Sequence, residues 1–143
     1  MTAHSHPRRE RLRTILRWLL SLVYLGVGIA HLRSPDGFLP IVPDWVPYPR
    51  ETILVTGVCE ILGAVGLLVP RLRWLAGVGL AAYAVAVYPA NIKHAIDGVA
   101  VGGTVLGWGY HAPRLLFQPV LVWWALFAGG VIDWPWRRRT PAC

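Results

Sequence analysis

Acidic residues are scarce in this chain: seven Asp and Glu stand against 14 Lys and Arg, and charged residues of every kind make up only 15% of its 143 positions. So few charges cannot cover a compact domain of this size with solvated side chains, which excludes an ordinary soluble protein. Cysteine is nearly missing as well. Cys59 lies inside an apolar run and Cys143 is the final residue, so there is neither the disulfide framework of a small secreted protein nor a CxxC redox pair. The chain also lacks an HExxH helix, a glycine-rich phosphate loop and a serine triad, and GVGIA at 26–30 reads as helix-packing glycine rather than a dinucleotide fingerprint. There is no internal repeat, no low-complexity tract and no room for a second, soluble domain.

What fills the space is apolar. Hydrophobic residues make up 55% of the sequence, with eight tryptophans, and the mean hydropathy is +0.49. Four apolar stretches stand out at 15–32, 52–69, 74–88 and 114–132. A membrane-spanning helix needs roughly 20 mostly apolar residues, so the pattern predicts an all-α, four-helix transmembrane bundle with helices at about 14–32, 51–69, 73–94 and 112–132. The third reaches full length only by continuing past Pro89. The separators are rich in Pro, Gly and Asp, and they belong at or beyond the membrane surface, because unpaired backbone groups find no partner in lipid. The whole of 1–143 therefore reads as one integral membrane domain, with a basic tail at 1–13 and a second tail at 133–143.

Charge sets the expected orientation. Arg8, Arg9, Arg11, Arg13 and Arg17 precede the first span, Arg71 and Arg73 join the second to the third, and Arg137, Arg138 and Arg139 follow the fourth. All three groups fall on one side, which the positive-inside rule makes cytoplasmic, so both termini are expected there. Only Arg33, Arg50, Lys93 and Arg114 remain for the other face. The first apolar run exceeds the h-region of a secretory signal and is read as a span, not a cleaved leader. These arginines flank spans without interleaved aromatics, so the lipid bilayer is the expected partner and nucleic acid is not.

With this topology the strongly polar residues collect in the outer half. His31 closes the first helix, Glu60 lies near the midplane in the second, Asn91, Lys93 and His94 end the third, and His111, Arg114 and Gln118 open the fourth. Helical spacing puts Tyr24, Gly28 and His31 on one face, Thr56, Glu60 and Gly63 on another, and His111, Arg114, Gln118 and Ala125 on a third. Trp108, Trp123, Trp124, Trp134 and Trp136 suit headgroup belts or lipid-facing surface. A carboxylate at Glu60's depth costs several kcal/mol unless protonated, paired or hydrated. Two readings stay open. Glu60 pairs structurally, with Arg114 or with the amides of Asn91 and Gln118; or it serves a pocket built from His31, Glu60, Asn91, His94, Arg114 and Gln118. His31, His94, His111 and Glu60 are also the candidate metal ligands, but their spacing is unspecific and no metal is expected. His4 and His6 lie in the N-terminal tail and carry no assigned role. In Tyr88-Pro89-Ala90-Asn91, proline lacks a backbone donor, so the third helix is expected to break over the pocket, with Asn91 supplying hydrogen bonds. The plainer alternative is a helix that simply ends at the interface with Lys93 snorkelling.

The succession GIAHLRSPDGFLPIVPDWVPYP, TGVCEILGAVGLLVPRLRWLAGVGL, YPANIKHA and PRLLFQ resembles the DoxX-like family of small bacterial membrane proteins. The likeness covers most of the chain: His31 closing the first helix, Pro43 and Pro47 in the loop, Gly57 and Glu60 as a Gly-x-x-Glu, a Pro-Ala-Asn end to the third helix, and Arg114, Leu115 and Gln118 as an Arg-Leu-x-x-Gln. It departs from the pattern at Leu116-Phe117, where a proline often follows Arg-Leu, and in its long, histidine-bearing third loop. The resemblance implies a four-helix bundle in the bacterial inner membrane and an association with redox enzyme subunits. It also implies that His31, Glu60, Asn91, Arg114 and Gln118 are the shared polar set. The functional expectation is a redox-associated or small-molecule-binding subunit with a pocket open to the periplasmic side, for a quinone, a small oxyanion or another periplasmic molecule. The alternatives are a non-catalytic scaffold, or a small transporter acting as a homo-oligomer. Whether it is an enzyme stays open.

Overall fold

The computed structural model describes residues 7–100 and 103–135, and every regular element among them is helical. The helices are α1 (Pro7–Arg33), α2 (Pro49–Leu68), α3 (Arg73–Ala86), α4 (Tyr88–Asp97) and α5 (Trp108–Gly129), with two short 3-10 turns, Pro35–Gly37 and Leu39–Ile41, between α1 and α2. α3 and α4 are one rod interrupted at Val87, so the described residues form four rods. Three of them, Pro7–Arg33, Pro49–Leu68 and Arg73–Asp97, are long and apolar enough to cross a membrane. α5 has the length, at 22 residues, but Arg114, Gln118 and two prolines hold its hydropathy lower. Large apolar side chains such as Leu22, Val55, Leu62, Leu75, Val85 and Leu116 face outward around the bundle, the reverse of a soluble helix's polar outer face.

The first helix begins earlier than the sequence indicates. Residues 7–13, expected in a basic tail, are helical. Pro7 has its ring torsion preset for a first helical turn, and arginine is a good helix former. The deeper reason is packing. Arg13 and Arg17 are each only 7% exposed and lie against the C-terminal end of α5. Arg13 Nε donates to Phe127 O (2.9 Å), its Nη2 to Ile132 O (3.0 Å) and Asp133 Oδ1 (2.8 Å), and Arg17 Nε to Ala128 O (3.0 Å). The last carbonyls of a helix have no intrahelical partner and carry the negative end of its dipole, so a buried guanidinium both satisfies and neutralises them. Arg73 does the same for α2, donating to Leu67 O and Leu68 O. α5 likewise starts at Trp108 rather than 112, after Gly107, and stops at Gly130, whose positive φ of 77° lets the chain turn back on Leu126 and Phe127. The arginines, tryptophan and cysteine at 136–143, and His4 and His6, lie outside the described residues.

Two glycine contacts weld the rods into pairs. A Cβ on Gly28 of α1 would stand 2.8 Å from Gly57 O of α2, and one on Gly57 would stand 2.9 Å from His31 Cβ. A Cβ on Gly77 of α3 would stand 2.8 Å from Gly129 Cα of α5. Backbones approach this closely only where neither residue has a side chain. The two pairs close on a core of Leu20, Tyr24, Ala64, Leu67, Leu80, Ala81, Ala125 and Ala128, which fills the basic half of the bundle. Toward the opposite end, beneath the 34–48 loop, the pairs stand apart.

Candidate functional site

Between the separated pairs lies a cavity of about 440 Å³, its wall mostly apolar, with His31, Glu60, Tyr83, Asn91, Arg114 and Gln118 as its principal polar groups. Two polar clusters face it, one centred on the α1/α2 wall and reached by Tyr83 of α3, the other on the α4/α5 wall. On the α1/α2 wall, the Gly28–Gly57 contact sets His31 beside Glu60, with His31 Nδ1 and Glu60 Oε2 2.8 Å apart in a polar contact that is not aligned as a good hydrogen bond. Glu60, just past the midpoint of α2, is 3% exposed. Its other oxygen, Oε1, accepts a hydrogen bond from the Tyr83 hydroxyl of α3 at 2.7 Å. The His31 ring is held edge-on by Phe38 from the loop, with centroids 4.5 Å apart.

On the α4/α5 wall the polar groups form a directed chain. Arg114 Nη2 donates to Asn91 Oδ1 (2.6 Å), Asn91 Nδ2 donates to Gln118 Oε1 (3.3 Å), and Gln118 Nε2 donates to Ala84 O. This runs directly beneath the interruption at Val87, where Pro89 has no N–H to return to the preceding turn. The break falls where the sequence places it, but the side chain that reaches back to the α3 carbonyls is Gln118 of α5, with Asn91 one link further along. Arg114 Nη1 is 2.9 Å from His94 Nδ1. A guanidinium is an obligate donor, so Nδ1 is the acceptor and the His94 ring proton sits on Nε2. His111 packs edge-on against His94 at 4.6 Å, and its Nε2 meets Leu106 O at 2.8 Å.

The six residues expected in a pocket thus divide. His31, Glu60, Asn91, Arg114 and Gln118 line one cavity, while His94 is buried behind Arg114 and supports it from outside the wall. The expected Glu60 to Arg114 pairing does not occur: Glu60 is taken by His31 and Tyr83, and no carboxylate among the described residues lies in ion-pair contact with Arg114. Helix pairing decides this, since Glu60 abuts α1 and α3 while Arg114 sits against α4. No three His, Cys, Asp or Glu side chains converge as a metal-holding group among the described residues, and the four candidate ligands are split, His31 with Glu60 and His94 with His111. Lys93 does not merely snorkel. Its Nζ meets Val42 O (3.2 Å) and Asp44 Oδ1 (3.0 Å), strapping the loop over the cavity. Tyr83 is the site residue that sequence reasoning missed. A lone hydroxyl in the apolar stretch Gly79–Val87 was its signal, because a phenol at that depth needs a partner.

A family model described as a domain of unknown function, DUF8561, matches residues 20–129. The chain belongs to that family. No curated protein and no solved structure matches it. The DUF8561 segment takes in both glycine contacts and every polar residue of the cavity, and leaves Arg13 and Arg17 outside. Chemically the DUF8561 site offers two facing sets of groups. One wall holds a carboxylate coupled to an imidazole and a phenol, a set that can exchange protons. The other holds a guanidinium and an amide, with Arg114 presenting N–H groups beyond those that bind His94 and Asn91.

Proposed function

We propose that this DUF8561 chain is a four-span, DoxX-like protein of the bacterial inner membrane, with cytoplasmic termini and a cavity on the periplasmic side that binds a small redox molecule of the quinone class. It serves as a redox-associated membrane subunit. The observation that carries the reading is the cavity itself: two polar clusters, on helix pairs joined by close glycine contacts, face the same mostly apolar space. Binding sites for small molecules have this character, apolar walls with a few converging polar groups. A quinone ring matches it, being flat and apolar with carbonyl acceptors on opposite sides, one for Arg114 and one for the His31 ring. α5 belongs among the spans despite its lower hydropathy, because Arg114 and Gln118 turn toward the cavity and not toward lipid. Arg13 and Arg17 close the opposite end of the bundle, which favours a dead-end pocket over a transport path through one chain.

Binding of decylubiquinone to the purified protein tests the reading. The native chain should bind it, and Glu60→Gln, which keeps size and an acceptor for Tyr83 while removing the charge that holds His31, should weaken binding at least tenfold with the thermal midpoint little changed. A second reading has one observation in its favour: Glu60 and Gln118 are already partnered within the protein, as a packing role requires. Unfolding of Glu60→Gln together with no quinone binding by the native chain would establish that scaffold role instead.

A further inference from the structure

We infer that the ligand reaches this cavity sideways, from the hydrocarbon layer, through a gap between α1 and α5, and is therefore a lipid-soluble molecule with an acceptor head and an apolar tail rather than a water-borne ion. The inference rests on the cavity being a ligand site, as proposed above, and goes on to fix the class of ligand and its route.

α1 and α5 are fastened only near the basic end. Arg13 and Arg17 bind the last carbonyls of α5, and the Trp124 indole donates to Leu16 O at 2.9 Å. Beyond that tie, toward the loop, no side-chain hydrogen bond joins the two helices among the described residues. One to three turns further along the helices, roughly 5–16 Å, the cavity is lined by Val23 and Val27 of α1 and by Phe117 and Leu121 of α5. Val23 is 50% exposed, Val27 40% and Phe117 42%. These side chains border the cavity and are covered by no neighbour over two-fifths to half of their surface, which supports an opening at its side.

The top is built differently. The 34–48 loop lies across it, Phe38 packs on His31, Pro43 and Val46 line its underside, and Lys93 ties the loop's backbone down at Val42. A hydrated anion passing the side opening would be stripped of water against valine and phenylalanine, which strongly disfavours its passage. An apolar tail lying in that opening stays in lipid and loses nothing. Arg114, without a carboxylate partner among the described residues, then meets an acceptor head that arrives already surrounded by hydrocarbon, where a charge-assisted hydrogen bond is strong.

Two probes with one head group separate the possibilities: ubiquinone-0, which has no tail, and decylubiquinone. The native chain should bind decylubiquinone at least tenfold more tightly. Val27→Trp, which fills the opening with a side chain that points partly into lipid, should shrink that preference to about twofold. A preference unchanged in Val27→Trp overturns the lateral route while leaving the quinone reading intact. Binding of neither probe by the native chain overturns the quinone reading. The route is then judged by a nitroxide on Val27→Cys, in a Cys59→Ser, Cys143→Ser background reconstituted in bilayers. Collision with oxygen well above collision with a water-soluble nickel chelate upholds a lipid-facing opening, and the reverse order overturns it.

Discussion

Tyr83 ties the two halves of the site together, because its hydroxyl crosses from α3 to the carboxylate of α2. Interhelical hydrogen bonds within membranes contribute about 0.6 kcal/mol on average and up to about 2 kcal/mol, and this one also satisfies an oxygen that would otherwise be left buried. Tyr83→Phe should therefore lower the thermal midpoint of the detergent-solubilised protein by a few degrees. In a double-mutant cycle with Glu60→Ala, the coupling should approach about 1 kcal/mol; a coupling indistinguishable from zero would mean that the bond does not hold the walls together. At this scale the sequence was readable wherever a side chain is costly in oil. Glu60, Asn91, Arg114 and Gln118 stand out from their apolar surroundings whatever their neighbours are. Their partners were not readable in the same way. Matching charges from the sequence joins Glu60 to Arg114, yet the true partner of Glu60 is fixed by which helices touch, and Gly28 and Gly57 bring His31 to it. Tyr83 escaped because tyrosine is so often an interface residue that its depth alone did not mark it.

The helix pairs stand on glycine, and one helix provides both the test and its control. Gly77 and Gly79 of α3 are two residues apart on different faces. A Cβ at Gly77 would stand 2.8 Å from Gly129 Cα and 2.9 Å from Ala125 O, both backbone atoms that cannot swing aside, whereas a Cβ at Gly79 meets nothing within 4 Å. Gly77→Ala must push α3 off α5 and should cost about 1–3 kcal/mol, the usual penalty for overpacking. Gly79→Ala should be neutral or slightly stabilising. Thermal unfolding of the two variants in one detergent reads the difference, and equal midpoints would refute the α3/α5 contact. The elements themselves follow closely from hydropathy and punctuation: the runs at 52–69 and 74–88 lie almost wholly within α2 and the α3/α4 rod, and Pro89 marks the interruption. The ends of α1 and α5 do not follow, for a reason that hydropathy cannot carry. Arg13 looks like the end of a solvated tail and Arg17 like the edge of the first span, and only the open carbonyls of a helix more than a hundred residues away make buried arginines favourable there.

Those same arginines bear on the molecule as a whole. Because Arg13 binds Phe127 O and Asp133, the start of α1 and the end of α5 lie at one end, and the short turn between α2 and α3, with Arg71 and Arg73, lies there too. The 34–48 loop and the cavity lie at the other. Capping consumes part of the basic surface, since Arg13, Arg17 and Arg73 are engaged with carbonyls, but Arg8, Arg11 and Arg71 remain exposed at this end. Translocation responds to lysine and arginine near the ends of the spans, so this end should stay in the cytoplasm and the cavity should face outward. Single cysteines placed at Pro47 in the loop and at Arg71 in the turn, both exposed positions, report this directly in a Cys59→Ser, Cys143→Ser background. A membrane-impermeant maleimide should label Pro47→Cys in intact cells and Arg71→Cys only after permeabilisation. The opposite pattern would put the cavity on the cytoplasmic side, and any redox partner would then have to be sought there, because the ligand's head group would meet it at that face of the bilayer.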